Sequence, residues 1–301
     1  MAVSNSVGVY LDTNTCHFHF SNLKLNNLFL VESIDDLLSA DQQIKYAAFH
    51  VPFDRRDTSW LDRIQLLYNH VNKIFIFCSE LHEHTVQSLI KLDRPKIVIF
   101  VCGHINYQFI NAPVYTWLDW FVTSVHFYKV VRPSLLNEKL QSNKQKKYFF
   151  DILLGCQRTH RDFVYHYIHN DSYYTLITET NAVNEFNFFT EKTVKPILAK
   201  RLFIAVAGQG FLRTLKSFGF KTFDTVIDES YDLEPDHGTR WNMALEQLRY
   251  LTTVDPDVVQ DKIKDIVEHN QTLMLNKEWY DNLVIGLNAE IEQDLARIVG
   301  H

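Results

Sequence analysis

The sequence predicts an α/β protein built as two sheet-and-helix units and closed by a helical tail. Three observations predict it. Short apolar runs alternate with amphipathic stretches at close spacing from residue 7 to residue 102, the pattern of a parallel sheet with crossover helices. The alternation halts over SLLNEKLQSNKQKK, residues 134–147, which is polar, carries several Lys and has no firm apolar period. It restarts at Tyr148, and from Asp236 onward only helical patterns follow.

In order along the first half, Val7–Leu11 and Cys16–Phe20 read as strands, Ile34–Leu38 opens a short helix, and Tyr46–Val51 is a compact buried strand. Leu61, Ile64, Leu67 and Val71 are spaced for one face of a helix over Ser59–Val71. Lys73–Cys78 is a strand, Ser79 caps a helix reaching Leu92, and Lys96–Cys102 is a strand ended by Gly103. Pro113–Tyr128, rich in Trp and Phe, reads as a helix. In the second half the strands are Tyr148–Leu154, Tyr173–Thr178, Leu202–Ala207 and Thr222–Ile227. The helices there are Thr159–His169, Glu191–Ala199, Phe211–Phe218, Asp236–Leu251, Asp255–Asn276 and Lys277–Ile298. Domains of 1–133 and 148–276, a linker at 134–147 and a C-terminal helix within 277–301 follow, with one extended α/β domain as the alternative.

Composition narrows the class. With 46% hydrophobic residues and 22 Phe against only 9 Gly and 7 Pro, the chain is core-rich and not disordered. A net charge of −6 gives no global reason to bind nucleic acid, although a local basic face would. Cys16, Cys78, Cys102 and Cys156 lie far apart, as expected of buried free thiols in a reducing compartment. The start lacks a basic end followed by an apolar stretch, and no apolar run reaches membrane-spanning length. A cytosolic protein with no membrane partner is expected. Dinucleotide, P-loop and nucleophile-elbow motifs are absent.

The richest stretch is residues 187–224. Thr190, Glu191 and Lys192 stand at the start of a short helix, and from Lys192 to Lys221 there is no carboxylate among seven cations: Lys192, Lys195, Lys200, Arg201, Arg213, Lys216 and Lys221. The sign then reverses over Asp224, Asp228, Glu229, Asp232, Glu234 and Asp236. One Glu at the head of a cationic segment suits an anionic nucleotide, the carboxylate taking ribose hydroxyls while Lys and helix N-termini receive phosphates. The same three residues also read as a plain helix cap, Thr190 as N-cap and Glu191 facing the helix dipole. A second constellation is Leu153–Arg161, a strand running into Gly155 and then a helix carrying Arg158 and Arg161 on one face. Their guanidinium forks suit a diphosphate at the carboxyl edge of a sheet, or else pair with nearby surface carboxylates.

Phe188-Phe189-Thr190-Glu191-Lys192, the short helix and the buried strand after it resemble the donor-binding region of GT-B glycosyltransferases of the fucosyltransferase type. Still more similar is a group of phage and algal-virus proteins with a Phe-x-Thr-Glu-Lys-Thr opening. Their later segments match Gly219–Asp224 and Asp228–Asp232, so the likeness covers roughly 147–245. The resemblance implies two Rossmann-like domains and transfer of a sugar from a nucleotide-sugar donor, without a metal ion or other cofactor. The acceptor would be a glycan or a hydroxylated base in viral DNA. It implies that Glu191 holds the donor ribose, Lys192 the phosphates, and Arg161, with Arg158, the diphosphate. Gly208 and Gly210 would admit the nucleotide close to the backbone. Ala207-Gly208-Gln209-Gly210 departs from the family's Gly-Pro turn, so base and sugar identity are not carried over.

An inverting transferase also needs a base for the acceptor hydroxyl, from the first domain and at a strand's carboxyl end. Glu80 in CSELHEH fits that place, with His82, Glu83 and His84 in reserve, or the same acids simply open a helix. His82, His84 and His104 do not form a recognisable metal-ligand spacing, and Asp228–Asp232 reads as a structural turn with Arg240 as an ion-pair partner. A non-catalytic binding or virion-associated protein that retains the fold is the rival to the transferase.

Overall fold

The computed structural model describes residues 7–12, 28–42, 44–51, 59–78, 83–116, 146–153, 171–276, 278–279, 289–290 and 292–293. It divides into two compact units, one drawn from Met1–Cys102, Tyr107–Trp117 and Val284–His301, the other from Gly103–Asn106 and Leu118–Leu283.

The first unit is a six-stranded, wholly parallel sheet. Its strands are β1 (Val7–Leu11), β2 (Leu28–Val31), β3 (Ile44–Val51), β4 (Lys73–Cys78), β5 (Ile97–Val101) and β7 (Val114–Thr116), in the order β2-β1-β3-β4-β5-β7. Every residue of β4 and β5 is buried, as parallel strands covered on both faces require. The intervening helices are α1 (Ile34–Ser39), α2 (Ser59–Leu67) and α3 (Glu83–Ile90). Ile64 and Leu67 are buried on α2 as expected, but Trp60 takes the place expected of Leu61, which is half-buried, and the helix ends at Leu67, short of Val71. The free thiols of Cys78 and Cys102 are buried; Cys16 and Cys156 lie outside the described residues.

Two local expectations fail here for physical reasons. Leu28–Val31, unassigned in the sequence, pairs with β1 as an edge strand whose Phe29 and Leu30 are exposed. Val114–Thr116 joins the sheet beside β5 where a helix is expected, because β-branched and aromatic residues suit the pleated edge. The rest of 113–128 beyond Thr116, the expected strand at 16–20, residues 134–145 of the expected linker and the helix at 159–169 lie outside the described residues.

The first unit also takes in a late part of the chain. Glu290 is buried, with Oε2 accepting from Lys73 Nζ at 2.6 Å and Oε1 from the Tyr115 hydroxyl at 2.5 Å. The same Lys73 ammonium donates to the Glu290 carbonyl oxygen at 3.1 Å.

The second unit holds a three-stranded parallel sheet of β8 (Tyr148–Leu153), β9 (Ser172–Thr178) and β11 (Phe203–Val206), with β9 in the middle. A two-residue antiparallel pair joins β6 (Gly103–His104) to β10 (Asn187–Phe188). Gly103 has φ +145°, and a Cβ there would lie 1.7 Å from the Asn187 carbonyl oxygen, so no other residue fits. Helices α4 (Glu191–Leu198), α5 (Phe211–Ser217), α6 (His237–Leu251) and α7 (Pro256–Leu275) complete it. Asp236 and Asp255 cap α6 and α7 by accepting from Thr239 N and Asp257 N. Val259, Ile263, Val267 and Met274 of α7 enter a core with Tyr174, Ile204, Phe211 and Phe223.

Thr222–Ile227 is not a strand. Glu229 accepts from the Thr222 hydroxyl and the Phe223 amide, both at 2.6 Å, and Asn270 of α7 pairs with both the amide and the carbonyl of Lys221. The Phe223 amide is thus spent on Glu229 and its carbonyl accepts from the Val226 and Ile227 amides in a turn, and Phe223 itself meets Phe203 edge-on. Among the described residues of 277–298, 278–279, 289–290 and 292–293 are helical.

Replacing Glu290 by Ala leaves a buried ammonium without its carboxylate, and the first unit is expected to lose about 3–5 kcal/mol. Urea denaturation of Glu290→Ala against wild type measures it. Burial raises the Tyr115 hydroxyl to about 12, with help from Glu290, and raises Tyr174 to about 12, with smaller help from Tyr173 and Asp255. Both folded values exceed the unfolded one, so their stabilisation is whole below about pH 10 and is lost as pH rises towards 12. Stability measured from pH 8 to 12 is expected to be flat and then to fall in that window, while phenolate absorbance rises.

Candidate functional site

The carboxyl end of β9 is where the most informative residues converge. β9 is the central strand of its sheet, and one residue beyond it the Glu179 amide still donates to the Val206 carbonyl at 3.0 Å. That extra rung turns the Glu179 side chain into the core, where it is 4% exposed. Its Oε2 accepts from the Thr190 hydroxyl at 2.7 Å, and its Oε1 from the Thr190 amide at 3.2 Å and the Thr193 hydroxyl at 2.5 Å. Burial pushes this carboxyl above its usual range, while the Lys192 ammonium and the two threonines pull it back.

The same contacts assemble the Thr-Glu-Lys turn. Thr190 is extended at φ −115°, ψ −175° and is the N-cap of α4, its hydroxyl oxygen accepting from the Lys192 amide at 3.2 Å. The capping role expected of it is therefore real. Glu191 follows as the one half-exposed residue of a helix otherwise buried all round. Lys192 folds back over the strand end, with Nζ donating to the Thr178 carbonyl at 2.8 Å and the Thr180 hydroxyl at 3.2 Å. Glu179 Oε2 lies 3.7 Å from that ammonium, close enough for charge compensation but beyond a hydrogen bond. Among the described residues two of its three hydrogens are thus placed in hydrogen bonds. Thr180, which receives the ammonium, is exposed.

The next turn along the carboxyl edge is filled from within. After β11, a Cβ on Gly208 would come 2.7 Å from the Asn184 carbonyl and 2.9 Å from that of Phe186. Gly210 has φ +75°, a left-handed position. The close approach that Gly208 permits is to this chain's own loop. Helix α5 then starts, and Asp232 closes it: Oδ1 accepts from the Leu212 amide at 2.7 Å, Oδ2 from the Arg213 amide at 3.0 Å, and its carbonyl from the Gly210 amide at 2.7 Å. Burial raises the Asp232 carboxyl and the two amides lower it.

The cationic run is largely neutralised by carboxylates from elsewhere in the unit. Lys192 meets Glu179, Lys200 meets Glu268 at 2.7 Å, Arg201 meets Asp151 at 3.1 Å, and Lys216 meets Asp224 at 3.0 Å and Glu229 at 3.3 Å. Arg201 is buried under β9, also donating to Thr175 Oγ1, Ser172 Oγ and the Ser172 carbonyl, and desolvation lowers it to about 10 against the pull of Asp151. The Asp228–Asp232 turn is a structural clasp. Asp228 accepts from the Ser230 amide, and Glu229 and Asp232 act as described. Arg240 does not bond to that turn's carboxylates. Its guanidinium donates instead to the carbonyls of Ala207, Glu234, Pro235 and Ala182.

Of the residues singled out in the sequence, Thr190, Glu191 and Lys192 stand together, with Gly208 and Gly210 at the neighbouring strand end. Glu80, His82, Arg158 and Arg161 lie outside the described residues. Glu83 and His84 open α3 in the first unit, both exposed, Glu83 accepting from Gln87 at 3.1 Å. His104 is exposed on β6. Among the described residues no three His, Cys, Asp or Glu side chains gather as metal ligands, and no helix is long and apolar enough to cross a membrane. Glu179 and Asp232 are the residues that sequence reading missed. Their signal is faint: a single acid directly after the apolar run Tyr173–Thr178, and one acid among six in an acidic turn. No protein-family model, curated protein or solved structure matches the chain at a significant level.

Glu179→Ala removes the acceptor for three donors and the compensation of a buried ammonium, and is expected to cost about 3–5 kcal/mol. Glu179→Gln keeps an acceptor oxygen and sheds a buried charge, so its cost is expected to be under half of that. Parallel urea titrations of the two variants give the comparison.

Proposed function

We propose that the chain is a glycosyltransferase of the GT-B plan, drawing its sugar from a nucleotide-activated donor. The observation that carries the reading is the Lys192 ammonium, fixed at the carboxyl end of a central parallel strand with two of its three hydrogens bonded among the described residues, beside half-exposed Glu191. Carboxyl ends of parallel strands are where open α/β sheets receive ligands. In this reading Lys192 takes the charge that grows on the leaving diphosphate, and Glu191 accepts from the ribose hydroxyls. Arg158 and Arg161 enter as diphosphate ligands from their place in the sequence and from the resemblance, and Glu80 enters as acceptor base from its place after a first-domain strand. The pairing of Lys192, Lys200, Arg201 and Lys216 with carboxylates favours a glycan acceptor over DNA, because it leaves little of the run to neutralise phosphates.

A second reading, a non-catalytic protein that keeps the fold, draws on Asp232. Its carboxylate fills the start of α5, the turn that the resemblance gives to the nucleotide.

A thermal-shift screen with GDP, UDP, ADP, CMP and their common sugars tests the first reading. One nucleotide at a hundred times its Kd is expected to add about 2.7 kcal/mol of stability, and Glu191→Ala and Lys192→Met to abolish the shift. Silence across the whole panel would sink the donor site. Binding with no release of free nucleoside diphosphate from the sugar donor, with or without glycan acceptors, would favour the second reading.

A further inference from the structure

The loop that receives Lys192 also receives one side chain of an aromatic pair on α6. Lys192 Nζ donates to Thr180, and two residues on, the indole N–H of Trp241 donates to the Ala182 carbonyl at 3.1 Å. Those two loop positions are at most about 7.6 Å apart, two virtual Cα bonds, which is the scale of a single nucleotide. Trp241 and His237 sit one turn apart on the same face of α6, ring centroids 5.4 Å apart at 63°, with His237 exposed and the indole half-buried. Val183 and Leu233, on the loops beside them, are both 55% exposed.

This corner is rigid. Arg240, next to Trp241 and buried, ties the loop at 182, the end of β11 at 207 and the turn at 234–235 through main-chain carbonyls. Gln209 adds a bond to the Leu233 carbonyl at 2.7 Å. A guanidinium spent wholly on backbone oxygens fixes the loops and, with them, the indole. The result is that an indole from α6 and an ammonium from α4 are both hydrogen-bonded to one loop, two residues apart.

We propose that Trp241, with His237 beside it, is the platform on which the base of the donor nucleotide stacks while Lys192 takes its phosphates. This assignment rests on the nucleotide-sugar reading above and adds a base subsite to it. Stacking on an indole tolerates any base, so the platform contributes affinity and leaves base choice to polar groups around it.

Calorimetric titration of wild type, Trp241→Leu and Trp241→Phe separates base from phosphate. The ligands are the nucleoside diphosphate found by thermal shift and inorganic pyrophosphate. Trp241→Leu is expected to weaken the nucleoside diphosphate about tenfold and to leave pyrophosphate unchanged, with Trp241→Phe intermediate because a phenyl ring still stacks. Nucleotide quenching of tryptophan fluorescence should vanish in Trp241→Phe, a readout that loss of packing alone does not give. Equal weakening of both ligands, or of neither, overturns the platform and leaves the donor site standing. A wild-type protein that binds no nucleotide overturns both.

Discussion

A carboxylate sealed into the core at the end of β9 holds the second unit's carboxyl edge together. Glu179 is reached by an amide and two hydroxyls from the start of α4, so it fixes the first turn of the crossover helix against the end of β9. The Lys192 ammonium is drawn to the same point, close enough to offset the charge and too far to be consumed by it. A buried acid is costly unless its lone pairs are taken, and here they are taken by the residues that open α4. The cost of burial and the order of the turn are two sides of one arrangement.

The same logic runs through the rest of the unit. The basic run and the acidic turn that follow each other in sequence fold back so that opposite charges meet, as in Lys216 with Asp224 and Glu229. Acids also serve as backbone caps, Asp232 on α5 and Glu229 on the Thr222–Phe223 bend. Arg240 does the converse for carbonyl oxygens. Charge patterning that looks like a binding surface in one dimension is, in this unit, mostly the fold's own supply of hydrogen-bond partners.

That explains what the sequence discloses and what it hides. Buried parallel strands are continuous apolar runs, so Lys73–Cys78 is legible residue for residue, and α6 and α7 are legible through Asp caps followed by apolar periodicity. Leu28–Val31 is too short and too exposed to stand out, and Thr222–Ile227 has a strand's composition but spends the Phe223 amide on Glu229 and the Phe223 carbonyl on a turn with Val226 and Ile227. At the site, Thr190, Glu191 and Lys192 are visible as a local motif. Glu179 is eleven residues from Thr190 and Asp232 twenty from Leu212, and no local pattern ties such partners together. The opposing roles of Gly208 and Gly210, ligand contact or internal packing, separate only when the loop at 184–186 is seen against them.

The partnership of Lys73 with Glu290 spans 217 residues and has a bearing on biosynthesis. At ribosomal rates of about 5–20 residues per second, roughly 10–40 s pass between the emergence of the lysine and that of its carboxylate. For that interval the nascent sheet carries an ammonium at a site destined to be dry, and water or a chaperone must attend it. The first unit to leave the ribosome is therefore among the last to be finished. Damage to the late segment would register as a fault in the earliest part of the chain.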